Sequence, residues 1–71
     1  MEIKEQVGKR LLECRKAAGL TQMKTAELLG VAQPVYQRFE KGVFECNYAQ
    51  LVRLAEIFDV SVDYIICRKG F

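Results

Sequence analysis

Cys14, Cys46 and Cys67 are the side chains best equipped for covalent or metal chemistry in this 71-residue chain, and they stand alone. No histidine is present to activate a thiol or share a zinc ion, and three cysteines at wide spacings match neither a metal motif nor a disulfide framework. A thiol without a basic neighbour is a poor nucleophile at neutral pH. The expectation is three reduced thiols, Cys14 among them in the core, with no metal site, no cofactor and no enzymatic activity.

Charge points elsewhere. The net charge of +2 is too small to imply a polyanionic partner. Its distribution is uneven: residues 1–24 hold Lys4, Lys9, Arg10, Arg15, Lys16 and Lys24 against Glu2, Glu5 and Glu13, whereas residues 25–67 hold Arg38, Lys41 and Arg53 against six acids. A basic first third can face phosphate while the acidic remainder faces solvent. No apolar run approaches the roughly 20 residues that cross a bilayer, and the first residues lack the plan of a signal peptide. These features predict a single cytoplasmic domain over residues 1–71 with no membrane partner.

The elements that would position such charges are helices. Ile3, Val7, Leu11, Cys14 and Ala18 recur at steps of four and three, which predicts one apolar stripe on a first helix ending before Gly19. Thr21 caps a short second helix over residues 21–29, marked by Met23, Ala26 and Leu29 and stopped by Gly30. Met23 is expected on the surface. A third helix spans residues 33–41, with Pro34 in its first turn, Tyr36 and Phe39 on its buried face, and Gly42 beyond its end. Val31 and Tyr36 have the spacing of a hydrophobic staple, whereas Ala32 is a poor cap. Asn47 and Gln50 form a capping box before Leu51, Leu54, Ala55 and Phe58, and Ser61 caps a fifth helix over residues 62–67. Tyr64, Ile65 and Ile66 are expected to close the core. No strand pattern or repeat is present, so the predicted fold class is all-α with five helices.

Two short helices joined across Gly30, Val31 and Ala32 make a helix-turn-helix, in which Ala26 supplies the small side chain a steep crossing needs and the following helix is free to enter a major groove. From residue 7 to residue 64 the chain resembles the Cro and lambda-repressor-like, or XRE, helix-turn-helix family. The resemblance rests on residues 7–11 (Val-Gly-Lys-Arg-Leu) with Arg15, 19–22 (Gly-Leu-Thr-Gln), 26–31 (Ala-Glu-Leu-Leu-Gly-Val), 38–42 (Arg-Phe-Glu-Lys-Gly), 51–55 (Leu-Val-Arg-Leu-Ala) and 60–64 (Val-Ser-Val-Asp-Tyr). It implies a lambda-repressor-like fold whose helices 2 and 3 bind double-stranded DNA.

The resemblance also implies roles. Gln33, Pro34, Gln37 and Arg38 match positions that face the bases, and a Gln33 amide pairing bidentately with adenine would supply about 1–3 kcal/mol of discrimination. Gln22 matches a phosphate contact at a helix N-terminus, Lys41 lies in a segment that touches backbone, and Arg10 is either a phosphate contact or a solvated residue. Arg15 and Glu40 match an ion pair between helices 1 and 3. Departures weaken the expected electrostatic attraction: Ala32 stands where Ser or Thr is common, Pro34 where a polar reader is common, Thr25 where Leu is usual, and residues 43–45 (Val-Phe-Glu) where the family is often basic. Phe44 and Phe71 have no obvious core partner and read either as partner contacts or as isolated surface residues.

The implied function is sequence-specific regulation of transcription, by repression, as a homodimer on a two-fold symmetric operator. Its dimer contact is expected from helix 5, the tail or residues 43–46. The alternative of a different class is a protein-interaction module of the same fold, antirepressor-like or antitoxin-like, with little affinity for DNA.

Overall fold

Local capping chemistry divides the chain into five helices, and a computed structural model describes residues 2–68. They are α1 (Ile3–Ala17), α2 (Gln22–Leu29), α3 (Gln33–Glu40), α4 (Tyr48–Phe58) and α5 (Val62–Ile65), with no strand among the described residues. The side chains of Thr21, Asn47 and Ser61 accept from the backbone N–H groups of Lys24, Gln50 and Tyr64 at 3.0, 2.8 and 3.0 Å. Gln50 completes its box by accepting from the Asn47 N–H at 2.9 Å. Each cap satisfies a donor that the first helical turn cannot. Glu5 does the same at the start of α1, where its carboxylate accepts from the Glu2 N–H at 2.9 Å.

The helices close into a ring of neighbours. α1 packs on α3 and α5, α3 on α2, α2 on α4, and α4 on α5. Leu11, Tyr36, Leu54 and Ile65 fill the middle with no exposed surface, joined by Cys14, Ala26, Phe39, Ala55 and Phe58. Tyr36 and Phe39 meet edge to face at 6.3 Å between ring centres, an arrangement the ring quadrupoles favour.

Three expectations need correction. The α1 stripe is buried only in its middle: Ile3 is 73% exposed and Ala18, the C-cap, is exposed, because each borders an open hollow where the neighbouring elements do not close against it. Tyr64 lies half exposed and does not close the core, a task that falls to Ile65. α5 ends at Ile65, not at Cys67, since Cys67 turns into the left-handed region at φ 64° and its thiol approaches the Gln6 carbonyl oxygen at 3.7 Å. Phe71 lies outside the described residues. No helix among the described residues is long and apolar enough to cross a membrane.

Candidate nucleic-acid interface

The exposed face of α3 follows from what its other face buries. Tyr36 and Phe39 point inward, so residues 33, 34, 37, 38 and 41, which share the opposite side at helical spacing, are left outside. Gln33, Pro34, Arg38 and Lys41 are exposed and Gln37 is half-buried. Pro34 sits in the first turn, where its missing N–H costs nothing, and Ala32 makes no side-chain cap.

Entry into α3 is set by the turn before it. Gly30 takes φ 85°, which L side chains resist, and the N–H groups of Gly30 and Val31 both return to the Ala26 carbonyl at 2.9 and 3.0 Å. Ala26 is 2% exposed, a small side chain at the crossing. Thr25 beside it is wholly buried, and its hydroxyl donates to the Thr21 carbonyl at 2.9 Å. That bond explains how a polar residue is tolerated where the family pattern has Leu: the donor is satisfied within its own helix.

A polar cluster then locks α3 against its neighbours. Arg15 on α1 donates from Nε to Glu40 Oε2 at 2.6 Å and from Nη2 to Glu40 Oε1 at 3.3 Å, while its Nη1 donates to the Leu20 carbonyl at 2.9 Å. Gln22, first residue of α2, donates from Nε2 to Glu40 Oε1 at 2.9 Å. The carboxylate can only accept, so this contact fixes which way the Gln22 amide points. Burial pushes the Glu40 carboxyl up, but the hydrogen bonds from Arg15 and Gln22, with the Tyr36 hydroxyl nearby, outweigh it and hold the group below its ordinary range. The bond to Glu40 in turn raises Arg15. The Tyr36 hydroxyl lies beside this carboxylate without closing a hydrogen bond of normal geometry, and burial, then the carboxylate, push its ionisation far up.

The structure thus places Gln33, Pro34, Gln37 and Arg38 on the outer side of α3, Lys41 at its C-cap and Gln22 at the start of α2, bonded to Glu40 of α3, whereas Arg10 turns elsewhere. Gly8 faces α3, and a residue two positions on lies roughly 200° around the helix. Arg10 accordingly turns to α5: Nη1 donates to the Tyr64 carbonyl at 2.7 Å, the guanidinium stacks 4.1 Å above the Tyr64 ring, and Glu13 pairs with it at 3.3 Å.

Two features escaped the sequence reading. A Cβ on Gly8 would fall 2.5 Å from the Glu40 carbonyl oxygen and 2.6 Å from that of Phe39, so α1 and α3 touch backbone to backbone there. The only sequence signal was a glycine inside a helical pattern. The second is an exposed apolar pair on α4, Tyr48 at 89% and Val52 at 52%, four residues apart and outside the Leu51, Leu54, Ala55 and Phe58 set. Burial raises the Cys14 thiol and pushes that of Cys46 up to about 12, which leaves these two less thiolate at neutral pH.

A short α2, a left-handed glycine, and an α3 buried on one side and open on the other define a helix-turn-helix module. Residues 11–65 match the helix-turn-helix family, and the chain belongs to its Cro and lambda-repressor-like, XRE branch. It is 41% identical over 56 residues to the uncharacterised HTH-type transcriptional regulator YqaE of Bacillus subtilis, a stretch covering 79% of this chain and 48% of that protein. Among solved structures, the restriction-modification controller protein C.AhdI of Aeromonas hydrophila superposes with a TM-score of 0.81 at 27% identity, covering 87% of this chain and 94% of the other. The clp gene regulator ClgR of Corynebacterium glutamicum shares the fold, with a TM-score of 0.90 at 22% identity, covering 96% and 72% of the two chains. The chain spans about half the length of the curated relatives it matches.

Proposed function

We propose that this chain is the DNA-binding module of a cytoplasmic transcriptional regulator, and that it represses by occupying a two-fold symmetric operator as a homodimer. The observation that carries the reading is the open face of α3, presenting Gln33, Pro34, Gln37 and Arg38, backed by a buried Arg15–Glu40 pair that also holds Gln22. Gln33 reads an adenine edge, Pro34 offers apolar contact to a thymine methyl, Gln37 and Arg38 reach neighbouring bases, and Gln22 and Lys41 meet phosphate. Arg10, committed to α5, is assigned to structure. One module this small buries too little for tight specific binding, which motivates two copies on half-sites about 34 Å apart.

A second reading has its own observation. Val43, Phe44, Tyr48 and Val52 are all exposed, which suits a protein partner better than a phosphate backbone. Selection from random duplexes at low and moderate salt separates the two. The regulator reading expects enrichment of a two-fold symmetric site, with Gln33→Ala relaxing one base position and Gln22→Ala weakening all sequences alike. No enrichment and no retention at low salt would overturn it and leave the protein-interaction module as the better account.

A further inference from the structure

Arg38 differs from three arginines that pair with carboxylates. Arg10, Arg15 and Arg53 pair with Glu13, Glu40 and Glu56 at 3.3, 2.6 and 3.5 Å. Arg38 has no carboxylate within salt-bridge distance among the described residues. Its guanidinium lies instead over the Phe44 ring, 5.4 Å from the centre. Phe44 is brought there by backbone: Gly42 takes φ 74°, and the N–H groups of Val43 and Phe44 return to the Arg38 carbonyl at 3.0 and 3.3 Å. Phe44 also lines a hollow of about 150 Å³ with Ile3, Val7, Cys46 and Leu51 beside Lys4 and Glu45, which gives it neighbours besides Arg38.

We infer that Phe44 is a positioning residue for Arg38, holding its guanidinium unpaired and pre-ordered at the end of α3 toward paired acceptors on duplex DNA. The inference rests on the DNA-binding reading above. A ring beneath a guanidinium covers one face and leaves the in-plane N–H donors free, which is the edge that engages guanine O6 and N7 or two phosphate oxygens. A carboxylate partner would consume those same donors. The replacement of basic residues by apolar ones in this loop therefore removes a direct phosphate contact but supplies a support for a neighbouring cation.

The test measures affinity for the duplex selected above with the parent chain, Phe44→Leu, Phe44→Trp, Arg38→Ala and the Phe44→Leu/Arg38→Ala pair. Phe44→Leu is expected to weaken binding roughly two- to five-fold, the range of an exposed cation–π contact. Phe44→Trp restores it, Arg38→Ala weakens it further, and the double variant binds no worse than Arg38→Ala. A loss confined to one base position identifies a guanine as the acceptor; a uniform loss with a salt slope lower by about one identifies phosphate. Unchanged binding by Phe44→Leu, or additive losses in the pair, overturns the inference while leaving the regulator reading intact. A parent chain that retains no duplex overturns that reading and this inference with it. Should Phe44→Leu fail to fold, the ring-current shift of the Arg38 side-chain protons in the free parent is the second measurement, and its absence also overturns the inference.

Discussion

Arg10 and Arg15 sit on the same helix, five residues apart, and each ties α1 to a distant part of the chain by different physics. Arg15 reaches α3, where its side chain is 13% exposed and that of its partner Glu40 5%, with two hydrogen bonds between them. Arg10 reaches α5, where it meets a carbonyl, an aromatic face and Glu13, whose side chain is 68% exposed. The buried pair is desolvated, so each charge depends on the other and removal of either strands its partner. The Arg10 side chain is 26% exposed, and its carboxylate partner lies open to water, so that ion pair contributes little. The rigid side of α1 is therefore the one facing the proposed reading helix.

Arg15→Ala attacks that asymmetry hardest. It should lower unfolding free energy by about 3–5 kcal/mol in urea titration, because Glu40 would be left buried without its countercharge. A loss no larger than that of an exposed pair would erase the distinction between the two sides. Gly8→Ala tests the same interface without touching charge. The new Cβ would meet carbonyl oxygens that cannot swing aside, with an expected loss of about 1–3 kcal/mol offset in part by better helix propensity.

Acid acts more gently on the same pair. The Glu40 carboxyl ionises below its ordinary value of about 4.3, so the folded state binds its proton less readily than the unfolded chain does. The stability it contributes is present above that ordinary value and is lost as pH falls through the lowered one. Glu40→Gln should accordingly flatten the acid limb of a stability-against-pH curve, and an unchanged limb would assign it to other carboxylates. Arg10→Ala is expected to have the smallest effect, a loss of up to about 1 kcal/mol with DNA affinity unchanged. A drop in DNA affinity without a drop in stability would return Arg10 to the phosphate contacts.

Helix number and order were legible in the sequence because caps act locally: Thr21, Asn47, Ser61 and Gly30 need only their own next turn to do their work. The faces of α1 were less legible. Its repeat names a stripe but not how closely the neighbouring elements close on it, so Ile3 belongs to the stripe and yet lies at the surface. Neither the exposure of Tyr64 nor the turn of Arg10 toward α5 was legible, since each depends on the other across 54 residues. The residues of the proposed reading face came from the family pattern, and the structure adds their exposure. Phe44 could not be placed in advance, because its ring depends on the path the chain takes after Gly42.

The ring of helix contacts has a consequence for damage. Each helix has two main neighbours, so weakening any one interface leaves all five helices joined through the other four. Two interfaces must give way before a group of helices can part from the rest. All five helices nonetheless share one interior around Leu11, Tyr36, Leu54 and Ile65, so a fault at one interface is felt at the others, and the helix that faces outward is steadied from both directions around the circuit.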